Sequence, residues 1–156
     1  MRKILTALWG ISVATSAFSA TEGYKDIKFG MTMEQVQKSQ FCQSKWQVAS
    51  PDIYICDSYP FFSGNTTAAV NFIHKKVHSI SLVMEPKLAK ELIANLHKKY
   101  GQPFFMQGVT LNTPPDMTKN WSIIFDQNKI ILDHNLKTGL MLHYANREVK
   151  YLIDDL

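Results

Sequence analysis

Hydrophobic and polar positions alternate in two neighbouring runs, Thr67-Ala68-Ala69-Val70-Asn71-Phe72-Ile73 and Val77-His78-Ser79-Ile80-Ser81-Leu82-Val83-Met84. A period of two sends successive side chains to opposite faces, so each run predicts a strand, and the short His74-Lys75-Lys76 link predicts an antiparallel hairpin. Ile80, Leu82 and Met84 share a face with His78, while Ser79 and Ser81 mark the wetter one. From Pro86 the period lengthens: Leu88, Leu92, Leu96 and Tyr100 recur every four residues, widened by Ala89 and Ile93 into a helical stripe. Pro86 suits a first helical position, Lys98 and Lys99 complement the helix dipole in the last turn, and Gly101 with Pro103 beyond it stops the helix. An earlier, shorter helix is predicted from Thr32 as N-cap to about Ser39 or Phe41. Gln35 can reach back to the cap, and Met31 can staple onto Val36.

Tyr24 to Gly30 reads as an extended entry, Ile53-Tyr54-Ile55-Cys56 alternates like a strand, and Tyr59-Pro60-Phe61-Phe62-Ser63-Gly64-Asn65 reads as a loop. Residues 104–120 lack periodicity and contain Pro114-Pro115, which predicts a long loop. Three strand-like runs follow, at 121–125, 129–133 and 140–144, and Asn146 can cap a last helix with Val149, Leu152, Ile153 and Leu156 on one face. The order predicts an α+β fold on a repeated helix-then-antiparallel-strands plan. It has one sheet of five to six strands, packed by two main helices and a short C-terminal helix.

The N-terminus changes the picture of where this domain works. Arg2 and Lys3 precede an apolar run from Ile4 to Ala14 and small residues through Ser19-Ala20, the three-part layout of a cleavable signal peptide. Residues 1–20 are therefore read as the signal, cut after Ser19 or Ala20, and residues 21–156 as a single globular domain bound for the periplasm or the medium. The apolar run is too short to span a bilayer, and no comparable run follows, so no transmembrane anchor is expected. Neither cleavage site leaves a cysteine first, which argues against a lipid anchor.

The formal charge of +4 falls to +2 once Arg2 and Lys3 are removed, with 15 basic against 13 acidic residues. Only Arg147 remains among the arginines and the lysines are scattered, a poor pattern for binding nucleic acid. Cys42 and Cys56 are the only cysteines, and in an oxidising compartment the pair reads as a disulfide. The rival reading, a nucleophilic thiol served by a histidine, lacks a local signature.

Phe29-Gly30-Met31-Thr32 opening a helix, Lys99-Tyr100-Gly101-Gln102-Pro103 closing one, and a meander led by Trp121 together resemble a broad group of small exported bacterial proteins. Most of that group is uncharacterised. More distantly, the plan is similar to the β-lactamase-inhibitor-protein-like fold and to the SmpA/OmlA (BamE) outer-membrane lipoproteins. The resemblance implies a protein-binding scaffold of the bacterial envelope. The absent lipobox cysteine departs from the lipoproteins.

Candidate chemistry is sparse. His74 and His78 could share a metal only if His97, His134 or His143 supplied a third ligand, and no spacing brings one in. A Ser-His-Asp set can be assembled from the chain, but no G-x-S-x-G elbow is present, and Asp52, Asp57, Asp116, Asp126 and Asp133 show no pairing signal. The isolated glycines form no phosphate-cradling loop, so no cofactor is expected. Aromatic loops are more informative: Tyr59, Phe61 and Phe62 in one, and Phe104, Phe105 and Met106 in another, are candidate protein-binding anchors. Taken singly, Phe61, Phe104 and Phe105 are read first as plugs for the ends of the core, and the loops as a group carry the binding expectation.

The expected function is a non-catalytic periplasmic protein-binding module, an inhibitor of or immunity factor against an envelope-acting enzyme or toxin. Its partner is another envelope or secreted protein. Two alternatives stand beside it: a carrier of a small apolar ligand or metal, and a hydrolase.

Overall fold

Strand periodicity governs more of the chain than the sequence pattern indicates. The computed structural model describes residues 21–61 and 64–146; the expected signal peptide, Phe62 and the expected C-terminal helix lie outside them. A small hairpin pairs β1 (Gly23–Tyr24) with β2 (Ile27–Lys28), and α1 (Met33–Lys38) follows. Strands β3 (Gln47–Ser50), β4 (Ile53–Phe61), β5 (Gly64–Ile73) and β6 (Lys76–Met84) then run as consecutive hairpins. A 3-10 turn at Pro86–Leu88 leads into α2 (Ala89–Tyr100), and β7 (Phe105–Gln107), β8 (Trp121–Phe125), β9 (Ile130–Asn135) and β10 (Gly139–Ala145) complete the chain. All eight strands from β3 onward form one antiparallel sheet in the order β3-β4-β5-β6-β10-β9-β8-β7. The last strand thus closes the middle of the sheet by docking against β6.

This corrects the expected fold class. The sheet has eight strands rather than five or six, and the described helices are one of six residues and one of twelve. β4 and β5 run into the segment read as a loop, because a register shift between Cys56 and Tyr59 lets the strand carry Pro60, which has no N–H for a ladder. The His74-Lys75 turn is two residues long in left-handed backbone, with φ of 51° and 63°, which matches the twist of the hairpin it joins. β7 lies inside the stretch read as aperiodic.

Register assigns the faces. Ile80, Leu82 and Met84 on β6 stand opposite Tyr144, Leu142 and Leu140 on β10, and opposite these lie Ile130, Leu132 and His134 on β9. With Ala68, Val70, Ile123 and Phe125 they make the inner face, and all of them but the buried, polar His134 belong to the hydrophobic core. Val36 of α1 and Ala89, Leu92, Ile93 and Leu96 of α2 are buried in the same core. Tyr24 of β1 sets its ring 4.6 Å from that of Tyr144. A register shift after Asn71 pairs Phe72 with Val77, so Val77 takes the inner position and the register passes over His78.

Local grammar fixes the helices as read. Thr32 Oγ1 accepts from the Gln35 N–H at 3.4 Å, and Gln35 Oε1 accepts from the Thr32 N–H at 2.8 Å, a complete capping box. In a helix of six residues the cap is a large share of what holds it, since so short a segment is not stable alone. Thr32→Ala is expected to cost about 1 kcal/mol, read as a lower urea midpoint with an unchanged m-value; an unmoved midpoint contradicts the assigned role. Gly101, at φ 76°, ends α2 where the pattern places the stop.

Candidate functional site on the open face of the sheet

One face of the sheet is covered by the two helices and the first hairpin; the other is not covered by any described element. Its residues follow from the same register. Ile53 and Ile55 on β4, Ala69 on β5, Ser79, Ser81 and Val83 on β6, Met141, His143 and Ala145 on β10, Ile131 and Asp133 on β9, and Ile124 on β8 all point outward. Ile53, Ile55, Val83, Met141 and Ile131 are not among the buried core side chains, whereas Ile124 and Ala145 on the same face are buried. A strand face turned to water normally alternates apolar-in with charged or polar-out. Here much of the outward set is aliphatic, small or neutral, with Asp57 of β4, which accepts from Gln47, and Asp133 of β9 as acidic members.

At its centre three polar side chains meet across three adjacent strands. Ser81 of β6 stands directly opposite His143 of β10, and its Oγ lies 2.8 Å from His143 Nδ1. On the far side of the ring, His143 Nε2 is 3.0 Å from Asp133 Oδ1 of β9. A carboxylate can only accept, so in the neutral imidazole Nε2 carries the hydrogen and donates it to Asp133. Nδ1 is then left to accept the Ser81 hydroxyl proton. The side chains of His143 and Asp133 are 29% and 28% exposed, so solvent and solutes reach them from the open face.

This set of atoms can polarise a hydroxyl, and among the described residues its immediate backbone supplies no oxyanion donor. Ser81 sits mid-strand, paired with Ala69 on one side and His143 on the other, so its backbone belongs to the ladder. Acyl-transfer enzymes use free N–H donors aimed at the developing oxyanion, and a fully paired central strand offers none there. The set also lies on an open surface rather than in a cleft.

The predicted anchors are placed as follows. Cys42 and Cys56 form the expected disulfide, with Cα atoms 5.7 Å apart. Tyr59 lies in β4 and is 2% exposed, its ring stacked 4.2 Å from Phe41, so it is a core side chain and not a loop contact. Phe61 ends β4, packs partly against the core, and borders a groove of about 590 Å³ shared with Thr66, Val83, Met84 and Leu88. Phe104 is 61% exposed and Met106 42% exposed, while Phe105 pairs with Ile124 on the open face. The two aromatic groups sit at opposite ends of the sheet: six strand steps separate β4 from β7, about 30 Å. They do not form one patch.

The histidines are likewise dispersed. His134 is on the inner face, buried, with Nδ1 2.9 Å from the Lys119 carbonyl and its ring stacked on Trp121. His74 lies in the β5–β6 turn, and His97 in the last turn of α2. Among the described residues, no three His, Cys, Asp or Glu side chains are placed to hold a metal.

Ser81, His143 and Asp133 were within reach of the sequence only in part. Each falls on the outward phase of an alternating strand, which was legible. The Asp133–His143 contact lies within the β9–β10 hairpin, but the Ser81–His143 contact depends on β10 docking against β6, a long-range pairing with no local signature.

Comparison with known proteins adds the following. A family model described as "Uncharacterised protein" matches residues 24–151. An uncharacterised protein of Pasteurella multocida (strain Pm70) is 34% identical over 95 residues, 54% of this chain and 48% of that protein. The match thus spans about half the length of that relative. No solved structure matches.

Proposed function

The chain belongs to this family of uncharacterised proteins, and from that premise we propose that it is an exported, non-catalytic protein-binding module whose partner docks on the open face of the sheet. The observation that carries the reading is the second apolar surface: Ile53, Ile55, Val83, Ile131 and Met141 face away from a core that is already complete without them. Large apolar patches on a folded surface mark interaction sites. A face about 30 Å wide is on the scale of one side of a standard interface. Its low charge, with Asp57 and Asp133 as acidic members, selects a partner that is largely apolar at the contact, with hydrogen-bonding groups for Ser79, Asn71 and Ser81. An inhibitor or immunity factor against an envelope enzyme or toxin is the form this module takes.

Two further features support export. The first twenty residues have the layout of a signal peptide, and the Cys42–Cys56 bridge suits an oxidising compartment. The inner face is filled by the protein's own side chains, which favours recognition over carriage of an apolar ligand within the fold.

The test uses Val83→Glu and Ile131→Lys, which place a charge on the open face without touching the core. The wild-type protein is expected to draw a stoichiometric partner from envelope extract. Each variant is expected to weaken that complex by about 30-fold, the effect of losing on the order of 2 kcal/mol at an interface centre. Binding by both variants at wild-type strength would dismiss the open face as the contact.

A further inference from the structure

We propose that Ser81 is a nucleophilic hydroxyl, poised by His143 and Asp133, that accepts an acyl group from activated esters and keeps it. This goes beyond recognition of a partner and stands on the cross-strand geometry alone. β6 and the β9–β10 hairpin, distant in sequence, converge to place Oγ 2.8 Å from Nδ1 and Nε2 3.0 Å from a carboxylate oxygen. The carboxylate fixes the imidazole in the tautomer that leaves a lone pair facing the hydroxyl, which is the arrangement that general-base activation of a serine requires. The roles of the two ring nitrogens are the reverse of those in the familiar triads, yet the proton path is equivalent, because either nitrogen can serve as base once the other is held as donor.

Access and crowding favour reaction at this residue. Ser81 faces the open side of the sheet, and the residue opposite it on β5 is Ala69, so one flank of the hydroxyl is walled only by a methyl group. The step balances without a co-reactant. As Ser81 Oγ attacks the acyl carbon, its proton passes to His143 Nδ1, and the Oγ–carbon bond forms. The bond from the acyl carbon to the leaving oxygen then breaks, and the proton goes from His143 to that oxygen, releasing an alcohol and leaving an O-acyl serine. Acylation and hydrolysis both pass through a tetrahedral intermediate at this donor-poor site, and the loss of even one oxyanion donor slows acyl transfer by about 100-fold or more. An activated ester brings a good leaving group, whereas the O-acyl serine must expel the poorly leaving serine alkoxide, so hydrolysis is the slower step. The structure therefore assigns Ser81 a single, long-lived acylation rather than turnover.

The probe is p-nitrophenyl acetate offered to the full exported domain. One equivalent of nitrophenolate is expected in a burst, with one acetyl group in the intact mass and peptide mapping to Ser81. Ser81→Ala should abolish the mapped adduct, and His143→Gln should slow it by about 100-fold, the ordinary contribution of a positioned base. Asp133 is a positioning residue: Asp133→Asn should slow acetylation while leaving the melting temperature in place, and Asp133→Glu, which keeps the carboxylate, should recover part of the rate. An adduct on lysines only, no adduct at all, or full-speed labelling of His143→Gln or Asp133→Asn overturns the assignment. Mapping on the wild-type protein decides the first two outcomes without any variant.

Discussion

Reduction of the Cys42–Cys56 bridge, or replacement of both cysteines by alanine, lowers the stability of the domain by about 3 kcal/mol and its melting temperature by about 10 °C. The bridge closes a loop with a sequence separation of 14, and the chain-entropy cost of holding a loop of that length falls on the unfolded state. The location adds to the loss. Cys56 lies on the inner side of β4, fully buried, while Cys42 follows α1 and precedes Trp46. The strap between them carries Trp46, whose ring stacks 6.0 Å from that of Phe41, itself stacked 4.2 Å from Tyr59, and then β3, which pairs with β4 alone. Without the covalent tie, the strap and the edge strand are the first parts expected to open, since Val48 of β3 is already 67% exposed. Urea denaturation with and without reductant measures the difference, and hydrogen exchange locates it. Coincident curves in the two conditions, or exchange loosening first in β8 and β9, would sink this account.

The same region shows how far the sequence could be read. Where a segment's structure is decided within a few residues, the reading matched the outcome: the Thr32–Gln35 capping box, the stop at Gly101, the hairpin of β5 and β6, and β8 all lie where their local chemistry places them. Pro60 and Gly64 misled, because they are strong punctuators in a short window, whereas a register shift two residues upstream makes Pro60 acceptable within β4. β3 and β7, of four and three residues, are too short to show a period and exist because a neighbouring strand offers them a ladder. With those strands missing, helices took too large a share of the expected fold. The candidate site was the least legible part. Its polar members were identifiable as outward-facing, but the Ser81–His143 opposition is separated by 62 residues in sequence and arises only when β10 closes the sheet.

Above about pH 10 the domain is expected to lose stability steeply, by about 3 kcal/mol at pH 11 relative to pH 9. The cause is a cluster of phenols. Tyr59 and Tyr144 are both buried, and Tyr24 lies between them, half-buried, with its ring 6.0 Å from Tyr59 and 4.6 Å from Tyr144. Burial is the largest factor raising the pKa of all three above the ordinary tyrosine value. A phenolate in this cluster would lack solvation and would face its neighbours' developing charge. The folded chain therefore retains protons that the unfolded chain releases once the pH passes about 10, so each such group lowers the unfolding free energy by up to about 1.4 kcal/mol per pH unit. Below that pH both states hold the proton, and the contribution is constant. Counting only the two buried phenols gives the figure above. The measurement is the urea midpoint between pH 8 and 11.5, beside tyrosinate absorbance in the native state. Tyr144→Phe removes one ionisable group from the cluster and should flatten the alkaline slope, whatever it does to stability at neutral pH. If the cluster ionised in the native protein at the ordinary tyrosine pH with no change in midpoint, the packing of β1 against β10 described here would be wrong. The open face would then lose its structural basis too, because that packing helps to make the opposite side of the sheet the buried one.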